Sequence, residues 1–248
     1  LAAEIVRIAG VYDVDSPDAF HAFAHRGDRG EDEVLDAAKA ACVSTSSKVI
    51  NLAENSNVNL PQLVRASRAK VVVAVGDKAF KLVSSTVKHI PVIGTMVTVQ
   101  RPSTVSYMAP PERYLAALKK LGRKQVGVIH SNQMSGYVKK ATELANNYGI
   151  TIVNRKASSP VEALEQFSAM KGQIDSLWLL PDTNVLTSGS VEVMLRNAQT
   201  VGLPVIAFSK NYLKIGAALV IEPDRELIGK IIGESVCNIL DGNAYSIQ

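Results

Sequence analysis

The chain has 248 residues, enough for one large domain or two small ones. Apolar residues make up 47% and charged residues 20%, the balance of a globular protein with a real core. The net charge of +4 comes from scattered lysines and arginines with no basic, aromatic-interleaved stripe, which argues against nucleic acid as a partner. No apolar run of about 18 residues is present to span a membrane.

The first hundred residues alternate strand and helix patterns. "EIVRIAGVY", "KVINLAE", "AKVVVAVG" and "IPVIGTMV" read as strands, and "EDEVLDAAKAAC", "NLPQLVRAS" and "DKAFKLVSSTV" as helices. Residues 13–30 are poor in pattern and read as a loop with a short helix. "TVQRPSTVSYMAPP", with three prolines and no period, reads as a linker.

From about residue 110 the alternation is regular, with strands expected to start near 125, 150, 175 and 204. "PPERYLAALKKLG" is a helix with proline at its start and Gly122 at its end. "SGYVKKATELANNYG" carries apolar residues at the 3.6-residue period, with Ser135 as the expected N-cap and Gly149 closing it. "PVEALEQFSAMKG" and "GSVEVMLRNAQTVG" are the next two helices. The last helix, "RELIGKIIGESVCNILDG", has a stripe of Ile228, Ile231, Ile232, Ser235 and Ile239. The strands are apolar throughout instead of alternating, so the pattern predicts parallel sheets covered by helices on both faces. The expected division is residues 1–100 plus about 222–242 in one lobe and 101–221 in the other, with a crossover near 98–108.

Ligands of such sheets sit outside the carboxyl ends of the strands. "IDSLWLLPDTNVL" drives a buried strand into Pro181 and then places Asp182, Thr183 and Asn184 on that rim. Other strands end on Gly76, Asp77 and Lys78, on His130, Ser131, Asn132 and Ser135, and on Ser209, Lys210 and Asn211. Helix starts at 77 and 135 offer N–H groups to an anionic end, and an aspartate suits an ammonium. Any one of these residues is also a good cap or turn former; four polar rims together point to a small polar ligand.

Catalytic patterns are thin. There is no GxxxxGK[ST], no GxGxxG strand-to-helix turn and no GxSxG elbow. His21 and His25 stand four apart without a third ligand, so no metal site is expected. His89 and His130 read as structural. Lys78 and Lys210 are more often surface or carboxylate-binding lysines than catalytic amines. The two cysteines, Cys42 and Cys237, read as buried thiols, with a disulfide as the alternative in an oxidising compartment. The start at Leu1, without Met, reads as a processed or trimmed product.

Four stretches carry a resemblance: "VINLAENSNVNLPQLVRASRAKVVVAVGDKA", "PPERYLAALKKLGRKQVGVIHS", "IDSLWLLPDTNVLT" and "LPVIAFSKNYLKIGAALVIEPDRELIGKIIGESVCNILDG". In order over residues 48–242 they resemble substrate-binding proteins of ABC transporters, in the branch related to binders of aromatic and branched amino acids. The resemblance implies a type I periplasmic-binding-protein fold. In it, two Rossmann-like lobes with parallel sheets trap a solute in the cleft at their hinge, and the last helix packs on the first lobe. By position it implies ligand contacts at Gly76, Asp77, Lys78, Ser131, Asn132, Asp182, Thr183, Asn184, Ser209 and Lys210, with Asp182 near a solute's amino group. It further implies a monomer without cofactor, metal or catalysis, working with a membrane permease. The location implied is the periplasm or cell exterior, with or without a lipid anchor. The expected solute is a small amino acid or a carboxylate-bearing metabolite. The alternatives are the ligand-sensing domain of a regulator or receptor and, further off, a small α/β hydrolase. The loop at 13–30 departs from the family's usual pattern, and the chain stops at Gln248 where family members usually continue.

Overall fold

The computed structural model describes residues 4–9, 29–42, 46–51, 59–98 and 101–243. In chain order these begin with β1 (Glu4–Ala9), α1 (Arg29–Ala41), β2 (Ser46–Asn51), α2 (Leu60–Ala66), β3 (Val71–Val75), α3 (Asp77–Thr86), β4 (Val92–Val97) and β5 (Thr104–Ser106). There follow α4 (Pro111–Lys120), β6 (Gln125–His130), α5 (Ser135–Ala145), β7 (Thr151–Lys156), α6 (Pro160–Met170), β8 (Ser176–Trp178), α7 (Ser188–Thr200), β9 (Val205–Ala207), β10 (Leu219–Val220) and α8 (Arg225–Leu240). The described residues up to Tyr107, with those from Asp224 on, form one compact unit, and Met108–Pro223 form another.

Each unit has one five-stranded sheet with every pair parallel. The orders are β2-β1-β3-β4-β5 and β10-β9-β8-β6-β7, the same winding read from opposite edges. Strand residues point alternately to the two faces, and both faces are covered. In the first unit Val71 and Val73 join Val34, Ile228, Ile232 and Val236 of α1 and α8, while Val72 and Ala74 join Leu60, Val64, Phe80 and Val83 of α2 and α3. In the second, Val126, Val128 and Trp178 pack with α4 and α5, and Leu177 and Val205 with α6 and α7. Connections leaving β1 and β3, or β6 and β8, therefore go to opposite faces. Such a switch point is where open α/β sheets place their ligands.

Local signals place the helix starts. Pro111 and Pro160 occupy first helical positions, and the Ser159 hydroxyl accepts the Glu162 N–H at 3.2 Å. Thr187 and Ser190 form a reciprocal capping box on α7.

Three features differ from the sequence reading. The proline-containing stretch read as a linker holds β5, whose Thr104 and Val105 are buried at the edge of the first sheet. Three residues are too few to show a period. The cysteines read as thiols form a disulfide, Cys42–Cys237, across 195 residues of chain. Finally, the α8 stripe includes Gly229, Gly233 and Val236, all buried, while Ile231 and Ile239 are only partly so. A Cβ on Gly229 or Gly233 would run into the α1 backbone at Val34 or Ala38, so these glycines let the two helices touch.

Candidate functional site

In the second unit the loops after β6 and β8 are tied together by one acid. Asp182 is 2% exposed. Its Oδ2 accepts the Ser131 N–H at 2.6 Å, and its Oδ1 accepts the Asn184 N–H and Nδ2–H, both at 3.2 Å. Its carbonyl accepts the N–H groups of Val185 and Leu186, which closes the turn after Pro181. The Asn184 amide also reaches Ser131 Oγ and Gln133 Oε1 at 3.3 Å. An acid, a hydroxyl and an amide cluster there because two diverging loops leave peptide N–H groups that the sheet cannot satisfy.

What the two loops after β6 and β8 leave outward is polar and uncharged: Asn132, Gln133, Thr183 and Asn184 are exposed. The Asn132 Oδ1 accepts from the Lys156 ammonium at 3.2 Å and from the Ser135 hydroxyl at 3.4 Å. Ser209 and Lys210 follow β9, the neighbour of β8. Ser209 Oγ accepts the Asn211 N–H, and the Lys210 N–H donates to Glu222 at 2.7 Å. The expected cap at Ser135 lies elsewhere. A 3₁₀ turn at Asn132–Met134 carries the helix start back, and Ser131 caps it by accepting the Gln133 N–H.

In the first unit Gly76 takes φ 88°, a conformation open to glycine, and leads into α3. Asp77 does not leave that helix end open to an anionic ligand, because its own carboxylate occupies the first turn. It accepts the Thr98 hydroxyl at 2.8 Å and the Thr98 N–H at 3.1 Å, holding the end of β4. Lys78 is exposed beside it. Sequence reading missed the irregularity next to this point. β4 bulges between Thr95 and Val97, Met96 sits at φ 55°, and the fully buried Thr95 hydroxyl has no hydrogen-bond partner.

Two other titratable side chains sit against backbone carbonyls. His130 is buried with Nδ1 2.8 Å from the Ser131 carbonyl. Burial, then the nearby Tyr114 and Glu112, push the Tyr137 hydroxyl well above the usual tyrosine range, and it donates to the Ala109 carbonyl. Among the described residues no group of His, Cys, Asp and Glu could hold a metal. His21 and His25 lie outside the described residues, as does the expected loop at 13–30 except for Arg29 and Gly30, which already belong to α1.

The family profile of ABC transporter substrate binding proteins matches residues 116–246, just over half of the chain. No curated protein sequence matches it. Several solved structures share the fold. An ABC domain from Streptococcus pneumonia in complex with L-Trp is 14% identical with TM-score 0.68, covering 98% of this chain and 86% of that one. A substrate binding protein with adhesive properties from Clostridium difficile, in its ligand-free open form, is 19% identical with TM-score 0.70 and the same coverage. A LacI family transcriptional regulator from Bifidobacterium animalis subsp. lactis is 12% identical with TM-score 0.63, covering 98% and 96%.

Proposed function

The chain belongs to the ABC transporter substrate-binding protein family, and on that premise we propose that it is the solute-binding component of an importer. It takes up one small polar solute, an amino acid or a carboxylate-bearing metabolite, at the C-terminal rims of its sheets and delivers it to a membrane permease. The observation that carries the reading is the switch point at the ends of β6 and β8, whose connections leave to opposite faces and where Asn132, Thr183 and Asn184 stand exposed over a clasp built by Asp182. Such a rim recognises by hydrogen bonds and holds no group poised to react. The work is mechanical: a solute favours one conformation by its differential affinity. The periplasm or cell exterior is the proposed location, which the Cys42–Cys237 bond supports because disulfides persist in oxidising compartments. Among the described residues no helix is long and apolar enough to cross a membrane.

A thermal-shift screen against amino acids, organic acids, nucleosides and sugars tests the reading. A solute at a hundred times its dissociation constant adds about 2.7 kcal/mol of stability, a shift of several degrees. One class of hits, recovered unchanged, is the expected result; turnover of the bound compound would mean an enzyme instead.

The LacI-type relatives support a second reading, the sensing domain of a regulator. The disulfide weighs against it, since cytosolic thiols are kept reduced. Alkylation of the protein as isolated distinguishes the two: two blocked thiols fit a regulator, none an exported binder.

A further inference from the structure

The last helical or 3₁₀ turn before each of β6 to β10, with the loop after it, forms the pole of the second unit opposite the rim. This pole carries six cations, Lys119, Lys120, Arg123, Lys124, Lys171 and Lys214, and one acid, Asp175. That surplus exceeds the +4 of the whole chain, so cations scattered in sequence are gathered by the fold. None of the six makes an ion pair among the described residues. On the flanks of the same unit Lys139, Lys140 and Arg196 are paired with Glu143, Glu112 and Glu192. Asp175 is half-buried and turned to the strand ends, where it accepts the Lys124 and Gln125 N–H groups at 2.6 and 3.0 Å.

The polar loops meet on one surface. Arg123, Lys171, Ile174, Val201 and Leu203 line a single groove of about 810 Å³. Lys119, Lys120 and Lys124 stand within four residues of Arg123. Gly216, between Lys214 and β10, packs on Gln199 of the last α7 turn. Cations at helix C-termini complement the helix dipole, which accounts for Lys119 and Lys120 at the end of α4. The dipole does not account for the apolar side chains set among the cations. Leu121, Val201 and Ile215 are 46%, 53% and 41% exposed, half of the large apolar residues this unit exposes. Nor does it account for Arg123, which lies beyond the helix and whose Nε is buried without a hydrogen-bond partner.

We propose that this pole docks on an anionic phospholipid surface. The cations meet headgroup phosphates, and Leu121, Val201 and Ile215 enter the boundary between headgroups and acyl chains. The groove between Arg123 and Lys171 admits a headgroup. A soluble polyanion would use the charges but leave the apolar side chains in water. Docking of this kind goes beyond the solute-binding reading and does not depend on it.

The test titrates the full chain with vesicles of phosphatidylcholine, alone and mixed with phosphatidylglycerol, with heparin as a soluble polyanion beside them. Binding is expected to the mixed vesicles only, and to weaken strongly at about 1 M salt, where the screening length is about 3 Å. Lys120→Gln with Lys124→Gln should weaken it about tenfold or more. Leu121→Ser with Val201→Ser should weaken it several-fold. Lys139→Gln with Lys140→Gln removes the same charge away from the pole and should leave binding unchanged. All three variants should melt with the parent protein. Absence of binding to the mixed vesicles, or equal binding to neutral ones, overturns the proposal. So does an equal loss in the Lys139 and Lys140 variant. Heparin binding as tight as vesicle binding, with no loss in the Leu121 and Val201 variant, would make the partner a soluble polyanion instead.

Discussion

The two units share a strand order but cover one face of the sheet in different ways. In the second unit that layer is local: α4 leads directly into β6 and packs beside α5. Its cohesion is aromatic, with Tyr114 stacked on Trp178 at 4.6 Å between centroids and Tyr137 edge-on at 6.0 Å. In the first unit the same layer is α1 and α8, which stand almost two hundred residues apart. There the helices meet on glycine and alanine and are joined by Cys42–Cys237. A layer assembled from neighbours needs only side-chain burial. One recruited from the far end of the chain must also offset the entropy of closing a long loop, which a crosslink removes from the unfolded state.

The largest effect that would break this comparison is loss of the crosslink. Chain entropy sets its contribution at about 5 kcal/mol, with measured values for native disulfides nearer 2–5. Cys237→Ser, or reduction, should move the first unit's transition down in calorimetry and leave the second unit's transition, followed by Trp178, in place. A shift of both together would mean the units unfold as one.

Next comes the close approach. Gly233→Ala should cost about 2–3 kcal/mol because α1 backbone fills the space a Cβ needs. Gly136, near the start of α5, should do the opposite, because a Cβ there would meet open space. Gly136→Ala should gain up to about 1 kcal/mol. Denaturant titrations of the two variants should therefore differ in sign.

The clasp of the second unit comes third. Asp182→Ala strands the Ser131 and Asn184 N–H groups and should cost about 1–3 kcal/mol in the second unit only. An unchanged melting temperature would return Asp182 to the role of a ligand contact.

The smallest effect is at α6. The Ser158 hydroxyl, then its N–H, holds the Glu162 carboxyl below the usual range. A lowered folded pKa contributes stability that is present above the unfolded value and lost as pH falls through the folded one. Ser158→Ala should thus lower stability slightly near neutrality and leave it unchanged at strongly acid pH, so the acid side of the profile flattens.

The long elements were legible because a period repeats within them. The strands expected near 125, 150, 175 and 204 begin at Gln125, Thr151, Ser176 and Val205. β5 and β10 have three and two residues and offer no period to read. The small-residue stripe on α8 was visible as Gly229, Gly233 and Cys237 at four-residue intervals, yet glycine looked like a gap in an apolar stripe when it was the contact itself. Of the residues read as a candidate site, Ser131, Asp182 and Asn184 do come together. The hydrogen bonds that join them were not legible. An aspartate after a strand looks the same in sequence whether it faces solvent or takes an N–H 51 residues away.

The most direct test of the account is to incubate the purified protein with the solute panel, separate the bound fraction, and identify the compound by mass spectrometry. The account predicts one equivalent of a single small polar compound, bound reversibly and released chemically unchanged. Recovery of a converted product, or of no compound from any class, would contradict it.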